Sequence, residues 1–166
     1  MLQAFPPLLA NNCHTIILGS MPGRKSLVEH EYYAHPYNVF WNILFNIYDE
    51  VPSESYEIRE KLILQNGLGI WDVFMFCERE GSLDANIEHP IANDFETFFK
   101  QHPSIQRVVF NGKSPMNFYK KHVGDFYGKK VVALPSTSPT YANMRPPQKQ
   151  MFWKEFFEAE VLAHSI

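Results

Sequence analysis

Four short apolar runs punctuate the chain: Thr15 to Leu18, Gly69 to Phe74, Arg107 to Phe110 and Lys130 to Leu134. Gly or Pro punctuation and β-branched content favour strands buried on both faces over helices of the same length. Between the runs lie helical patterns. Phe40, Leu44, Ile47 and Tyr48 share one face, and Tyr56 to Asn66 forms a second helix with Gly67 placed to end it. Asn93 with Glu96 reads as a capping box opening a helix whose Phe95, Phe98 and Phe99 face the core, with Pro103 as its stop. Ser114-Pro115 reads as an N-cap followed by Pro at the first helical position, starting a helix towards His122. The last helix, Gln148 to Ala163, carries Phe152, Trp153, Phe156 and Phe157 on a broad apolar side.

Strands alternating with helices predict a three-layer α/β domain around a parallel sheet with right-handed crossovers. Ligands bind such sheets outside the carboxyl ends of the strands. The segments placed there are Gly19 to Pro36, Asp72 to Asp84, Asn111 to Ser114 and Pro135 to Pro147. The first connection runs to roughly 17 residues where about 4–6 is usual, and a long ordered loop in a compact domain is usually functional.

Composition narrows the field. The chain has 166 residues, 45% hydrophobic and 15% aromatic, enough for a core and too apolar for disorder. No apolar stretch approaches the roughly 20 residues of a membrane span, and the first residues carry no charged leader, so a cytoplasmic protein is expected. Cys13 and Cys77 share no metal or redox spacing, and two cysteines are too few for a four-thiolate iron–sulfur cluster. A net charge of −3 argues against a generic polyanion binder but not against a local basic face.

Four constellations at the strand ends carry candidate chemistry, and each also has a plain structural explanation. Gly19-Ser20-Met21-Pro22-Gly23 is a tight turn, or a place where backbone amides approach a phosphate or a base; no Gly-Lys-Ser/Thr follows, so it is not a P-loop. His35-Pro36-Tyr37-Asn38-Val39-Phe40-Trp41 puts Asn38 at a positive helix end, as a cap or as a group facing a site. His14, His30 and His35 match no helical H-x-x-x-H spacing, so no metal is expected. Pro135-Ser136-Thr137-Ser138-Pro139 is ordinary loop composition and also ordinary phosphate-positioning equipment. Asp72 and Asn111 are polar residues at strand ends, where burial demands partners.

Taken in order, GSMPG, HPYNVFW, WDVFMFCEREGSLDANI, FNGK and LPSTSP resemble the uracil-DNA glycosylase superfamily, and most of all its hypoxanthine (deoxyinosine) DNA glycosylase branch. The resemblance spans nearly the whole chain. It implies one domain over 1–166, with a central four-stranded parallel sheet in the order 2-1-3-4 flanked by helices. Ser20 to Pro22 would then lie beside Asn111, and the loop from Met21 to Tyr37 would wall a pocket for a base flipped out of DNA.

The same resemblance implies roles. Superfamily members place Asp or Asn two residues before the Pro of the first motif, where this chain has Ser20; the related branch uses the Asn of HP-x-N-x-FW, here Asn38. Asn38 is thus the expected catalytic residue, holding a water or donating to the departing base. Gly19, Ser20, Met21, Pro22, Tyr33, His35, Phe40, Asp72 and Asn111 would form the base pocket, with Asn111 on the base edge and Phe40 or Tyr33 stacked on it. Arg24, Lys25, Lys113, Ser136, Thr137 and Ser138 would hold the DNA backbone. The implied enzyme is a monomeric, monofunctional glycosylase acting on DNA with a deaminated base, with no cofactor, no metal and no membrane. A nucleoside-binding module that has lost the chemistry, and a metal-dependent nucleotide hydrolase, are the competing classes.

Neither cysteine lies in a nucleophile–base pattern. Replacing both with Ser is expected to leave base excision by folded protein largely intact, and abolished turnover with normal folding would point to a thiol mechanism.

Overall fold

The computed structural model describes residues 1–164, with side chains through 160. Its main sheet contains the four expected parallel strands: β3 (Thr15–Gly19), β4 (Leu68–Asp72), β7 (Arg107–Asn111) and β8 (Lys130–Leu134). They lie in the order β4-β3-β7-β8, the 2-1-3-4 arrangement, with Ile17 opposite both Ile70 and Val109. The sheet is not purely parallel. A fifth strand, β2 (Leu8–Leu9), pairs antiparallel along the outer edge of β4. A second, antiparallel sheet joins β1 (Leu2–Gln3), β5 (Phe74–Glu78) and β6 (Glu88–Ala92).

The run expected as one strand from Gly69 to Phe74 therefore divides at Val73. Gly19 pairs with Asp72 as the last register position of β3 and β4. Val73 N–H then donates to the Gly19 carbonyl and Phe74 N–H to the Ser20 carbonyl, which turns the chain across the end of β3. Buried Asn93 locks the bend: its N–H donates to the Val73 carbonyl and its Nδ2 to the Asp72 carbonyl at 2.8 Å. Asn93 is thus no capping-box residue; Asp94 caps α4 (Phe95–Gln101), accepting from Thr97 N–H.

Period-two alternation sends strand side chains to opposite faces. Ile16, Leu18, Val108 and Phe110 pack with the aromatic side of α4 and with Tyr119 of α5 (Lys113–His122). Ile17, Ile70 and Val109 pack with Phe40, Trp41 and Leu44 of α2 (Phe40–Ile47), Leu62 of α3 (Tyr56–Gln65), and Trp153 and Phe157 of α6 (Pro146–His164). An ion pair between Arg107 and Glu160 also ties α6 to the start of β7.

Helix starts also differ from expectation at α2, α5 and α6, the last beginning at Pro146 rather than Gln148, and one helix is unexpected. α2 begins at Phe40 behind Val39, α5 begins at Lys113 behind Gly112, and a short helix, α1 (Arg24–Glu29), folds part of the long loop. Pro115 is then the third residue of α5, still among the N–H positions that have no helical partner, so Pro is tolerated there. Gly112 has φ +108°, and a Cβ there would sit 3.0 Å from Cβ of Ser136. Only glycine lets α5 start so close to the last strand-end loop.

Asn93 offers a direct check on the bend. Asn93→Ala strands the Asp72 carbonyl and is expected to lower the unfolding free energy by about 1–3 kcal/mol. Urea denaturation measures this, and an unchanged midpoint would show that the bend holds without Asn93.

Candidate active site

A cavity of 280 Å³ opens at the carboxyl ends of β3, β4 and β7, close to the lower bound for small-molecule sites of roughly 300 Å³. Of the residues expected around a flipped base, Gly19, Ser20, Met21, Pro22 and Tyr33 line it, as do His35, Asn38, Asp72 and Asn111. Arg24, Lys25, Ser136, Thr137 and Ser138 form its rim and walls.

Two expected residues do not reach the cavity. Phe40 is fully buried beneath Tyr33, the rings stacked 3.9 Å apart, because it belongs to the α2 core. Any ring that meets a base from that side is Tyr33. Lys113 is exposed and borders an adjoining cavity of 580 Å³, which shares Asp84, Asn111 and Ser136 with the first.

Thr137 is also differently employed, since its side chain is fully buried. Its N–H donates to Asn111 Oδ1 and its hydroxyl accepts from Asn111 Nδ2, both at 2.9 Å, while its carbonyl accepts from Val39 N–H. A backbone N–H can only donate, so it defines which end of the Asn111 amide is oxygen. Thr137 therefore braces Asn111 and the start of α2 internally, and its buried hydroxyl is not placed to grip a phosphate. Each end of the Asn111 amide keeps one hydrogen-bonding position beyond Thr137.

Asn38 sits just ahead of α2. Its own N–H donates to the His35 carbonyl, and its Oδ1 accepts from Phe40 N–H at 3.0 Å. That bond fixes the amide, and among the described residues nothing engages Nδ2. His35 is exposed and accepts from Tyr37 N–H; His14 lies at the other end of β3, bonded to Thr15 and Asn66.

Ser20 is buried, and its hydroxyl donates to Oδ2 of Asp84 at 2.8 Å. The Ser114 hydroxyl donates to the same oxygen at 2.8 Å, so Asp84 ties the first-motif turn to α5. Asp84 was not among the expected site residues. Within Gly81-Ser82-Leu83-Asp84 it reads as a turn residue, and only the fold brings it to the cavity. Arg79 was missed similarly; it clamps the turn by donating to the Pro22 carbonyl at 2.7 Å.

Asp72 is the unusual group. It is 4% exposed, and neither carboxyl oxygen takes a hydrogen bond among the described residues. A Cβ on Gly19 would lie 2.7 Å from Asp72 Oδ1, so the absent side chain makes room for the carboxyl. Burial, reinforced by the negative charge of Asp84 and opposed by Arg79, pushes the Asp72 pKa up to about 7. Burial and the nearby Asp72 also hold the Tyr33 phenol neutral well beyond its ordinary range. Lys149 is 3% exposed and donates to the Ser138 carbonyl, and burial lowers its pKa; it supports the last loop from inside.

The family model of the uracil DNA glycosylase superfamily matches residues 6–159. This chain belongs to that superfamily. A hypoxanthine DNA glycosylase of Methanosarcina acetivorans is 33% identical over 93% of this chain and 97% of its own length. A hypoxanthine DNA glycosylase of Methanosarcina barkeri is 40% identical over 67% of this chain and 71% of its own. The solution NMR structure of a candidate uracil DNA glycosylase from Methanosarcina acetivorans superimposes with a TM-score of 0.80 at 30% identity, covering 93% of this chain and 95% of that one.

The glycosylase cavity holds no cysteine: Cys13 and Cys77 are buried elsewhere, and burial pushes the Cys13 thiol up to about 12. Among the described residues, the one cluster with metal-ligand spacing is exposed Glu78, Glu88 and His89 on β5 and β6, outside the cavity. No helix among the described residues is long and apolar enough to cross a membrane.

The buried acid predicts a stability signature. Its folded-state pKa of about 7 lies above the ordinary 3.8, so the folded state binds this proton more tightly than the unfolded chain. The associated stability is complete below 3.8 and is lost as pH rises through about 7. Asp72→Asn, which cannot ionise, is expected to gain on the order of a few kcal/mol over the unsubstituted protein above neutral pH and nothing in acid. Thermal denaturation at both pH values checks this, and equal differences at the two would contradict it.

Proposed function

We propose that this chain is a monofunctional DNA glycosylase of base-excision repair that hydrolyses the N-glycosidic bond of a deaminated base, hypoxanthine in deoxyinosine foremost, with uracil and xanthine as further candidates. The observation that carries the reading is a single cavity at the strand ends where Asn38, Asp72, Asn111 and Tyr33 converge. The names of the two relatives supply the substrate class. In this reading residues 1–166 work as one domain, as a monomer in the cytoplasm.

Excision needs the base out of the stack. Tyr33 offers a ring face, and Asn111, braced by Thr137, offers one donor and one acceptor to the base edge. Hypoxanthine presents a carbonyl beside an N–H, which such an amide pairs with. The glycosidic bond largely breaks before water adds, giving an oxocarbenium ion near the negative charges of DNA phosphates, by extension from glycoside hydrolysis. Asn38 does not ionise. Because its Oδ1 is held by Phe40 N–H, its contribution is the Nδ2 donor, directed at the leaving base or the attacking water. Exposed Arg24, Lys25 and Lys113, with Ser136 and Ser138, meet backbone phosphates. Lys25 is ion-paired to Glu29 at 2.9 Å, Lys113 is exposed, and Lys149, which is desolvated, donates to the Ser138 carbonyl and does not line the cavity, so none of the three is placed to attack the sugar.

The test is single-turnover release of free base from duplexes carrying deoxyinosine, deoxyuridine or deoxyxanthosine, with and without EDTA. Deoxyinosine is expected to react fastest and EDTA to change nothing. Asn38→Ala is expected to slow release by about 10²–10³-fold, the range for one positioned donor, with little change in DNA affinity. Near-normal release by Asn38→Ala would remove Asn38 from the chemistry, and binding without release by the unsubstituted protein would leave a nucleoside-binding module.

A further inference from the structure

We propose that Asp72 is a further catalytic residue, the acid that hands its proton to the departing purine, with Asp84 as the positioning residue beside it. This rests on the glycosylase reading above and assigns the half of the reaction that Asn38 cannot perform.

The geometry sets Asp72 apart from a structural carboxylate. A buried carboxylate kept for stability accepts several N–H bonds or a paired guanidinium. Asp72 accepts none, and Oδ2 is buried without a partner. Arg79, the cation that faces it, commits Nη2 to the Pro22 carbonyl and Nε to the Gly81 carbonyl, while its buried Nη1 bonds to neither Asp72 oxygen and opposes the upward shift only through its charge. The other ionisable groups facing it are Asp84, Tyr32 and Tyr33. Two are neutral phenols and the third is a like charge, so its surroundings favour the carboxylic acid. An acid in this position carries an O–H at the cavity wall, beside a Tyr33 hydroxyl that is likewise buried without a hydrogen-bond partner. A purine ring nitrogen is an acceptor for that O–H.

Asp84 supplies the nearby negative charge and is itself held in place, since the Ser20 and Ser114 hydroxyls both donate to its Oδ2. An acid whose pKa of about 7 matches the working pH is the most effective general acid.

In the step proposed, the C1′–N9 bond breaks and its electron pair passes to the purine. The Asp72 proton moves to a purine ring nitrogen, so the base departs neutral. A water oxygen bonds to C1′ and releases its proton to solvent, from which Asp72 is reprotonated. The products are the free base and an abasic sugar.

A purine methylated at N7 carries a positive imidazolium ring before it leaves and needs no proton on that ring. The experiment compares single-turnover release from duplexes carrying deoxyinosine and N7-methyldeoxyinosine, corrected for spontaneous loss. For the unsubstituted protein, the deoxyinosine rate is expected to fall about tenfold per pH unit above the Asp72 pKa, a limb that Asp72→Asn removes. Asp72→Asn is expected to slow deoxyinosine release by about 10²–10⁴-fold and to leave the methylated substrate within a few-fold. Asp84→Asn is expected to move the alkaline limb to lower pH, because removing its charge eases ionisation of Asp72. Equal losses on both substrates in Asp72→Asn, or a deoxyinosine rate flat through neutral pH in the unsubstituted protein, would overturn the assignment. Release of neither substrate by the unsubstituted protein would instead overturn the glycosylase reading.

Discussion

Burying a carboxyl group without a hydrogen bond is costly, because an ionised carboxylate loses its water and gains nothing in return. Asp72 is held in that condition at the end of β4, and the surrounding architecture follows from holding it. The chain leaves the parallel sheet at Val73 and enters the antiparallel one at Phe74, so Asp72 is the last residue before the switch. Asn93 pins the switch through the Asp72 carbonyl, and Gly19 leaves the volume that the carboxyl fills. Around this point Arg79 clamps the first-motif turn and Asp84 joins it to α5. A site that stores such strain gives up stability for chemistry, the usual trade at active sites.

The cavity wall is rigid because its polar groups are cross-braced between distant segments. Thr137 connects β7 and α2 through Asn111 and Val39, and Lys149 holds the Ser138 carbonyl from beneath. Tyr33, at φ +54°, closes one side over the ring of Phe40. Arg24, Lys25 and Lys113 are exposed, while Ser20, Asp72 and Asn111 on the cavity wall are buried, so a chain of net charge −3 still presents cations beside the cavity mouth.

Much of this was legible in the sequence. The four apolar runs are strands, three of them buried and the fourth, β8, half-buried at the sheet edge, and their order, implied by the family resemblance, is the observed one. The strand-end rule located the cavity, because polar residues at Asp72 and Asn111 interrupt runs that a core alone would keep apolar. What escaped had physical reasons. β1 and β2 are two residues each, too short to show a period. β5 continues an apolar run without a break, and the switch at Val73 is dictated by a side chain some twenty residues away, Asn93. The start of α2 moved past Asn38 because that side chain bonds Phe40 N–H from outside the helix. Asp84 closes a segment expected at the strand ends, but its role was not legible, because a turn aspartate and a site aspartate look alike until tertiary contacts bring Ser20 and Ser114 to it.

Protonation of Asp72 near neutral pH at the cavity wall can be measured without any assay of activity. Carbon-13 NMR of the aspartate carboxyl groups, with the Asp72 resonance assigned by comparison with Asp72→Asn, reports its ionisation directly. A midpoint of about 7 is expected for Asp72 in the free protein, moving lower in Asp84→Asn. A midpoint at the ordinary carboxylate value of 3.8 would contradict protonation near neutral pH.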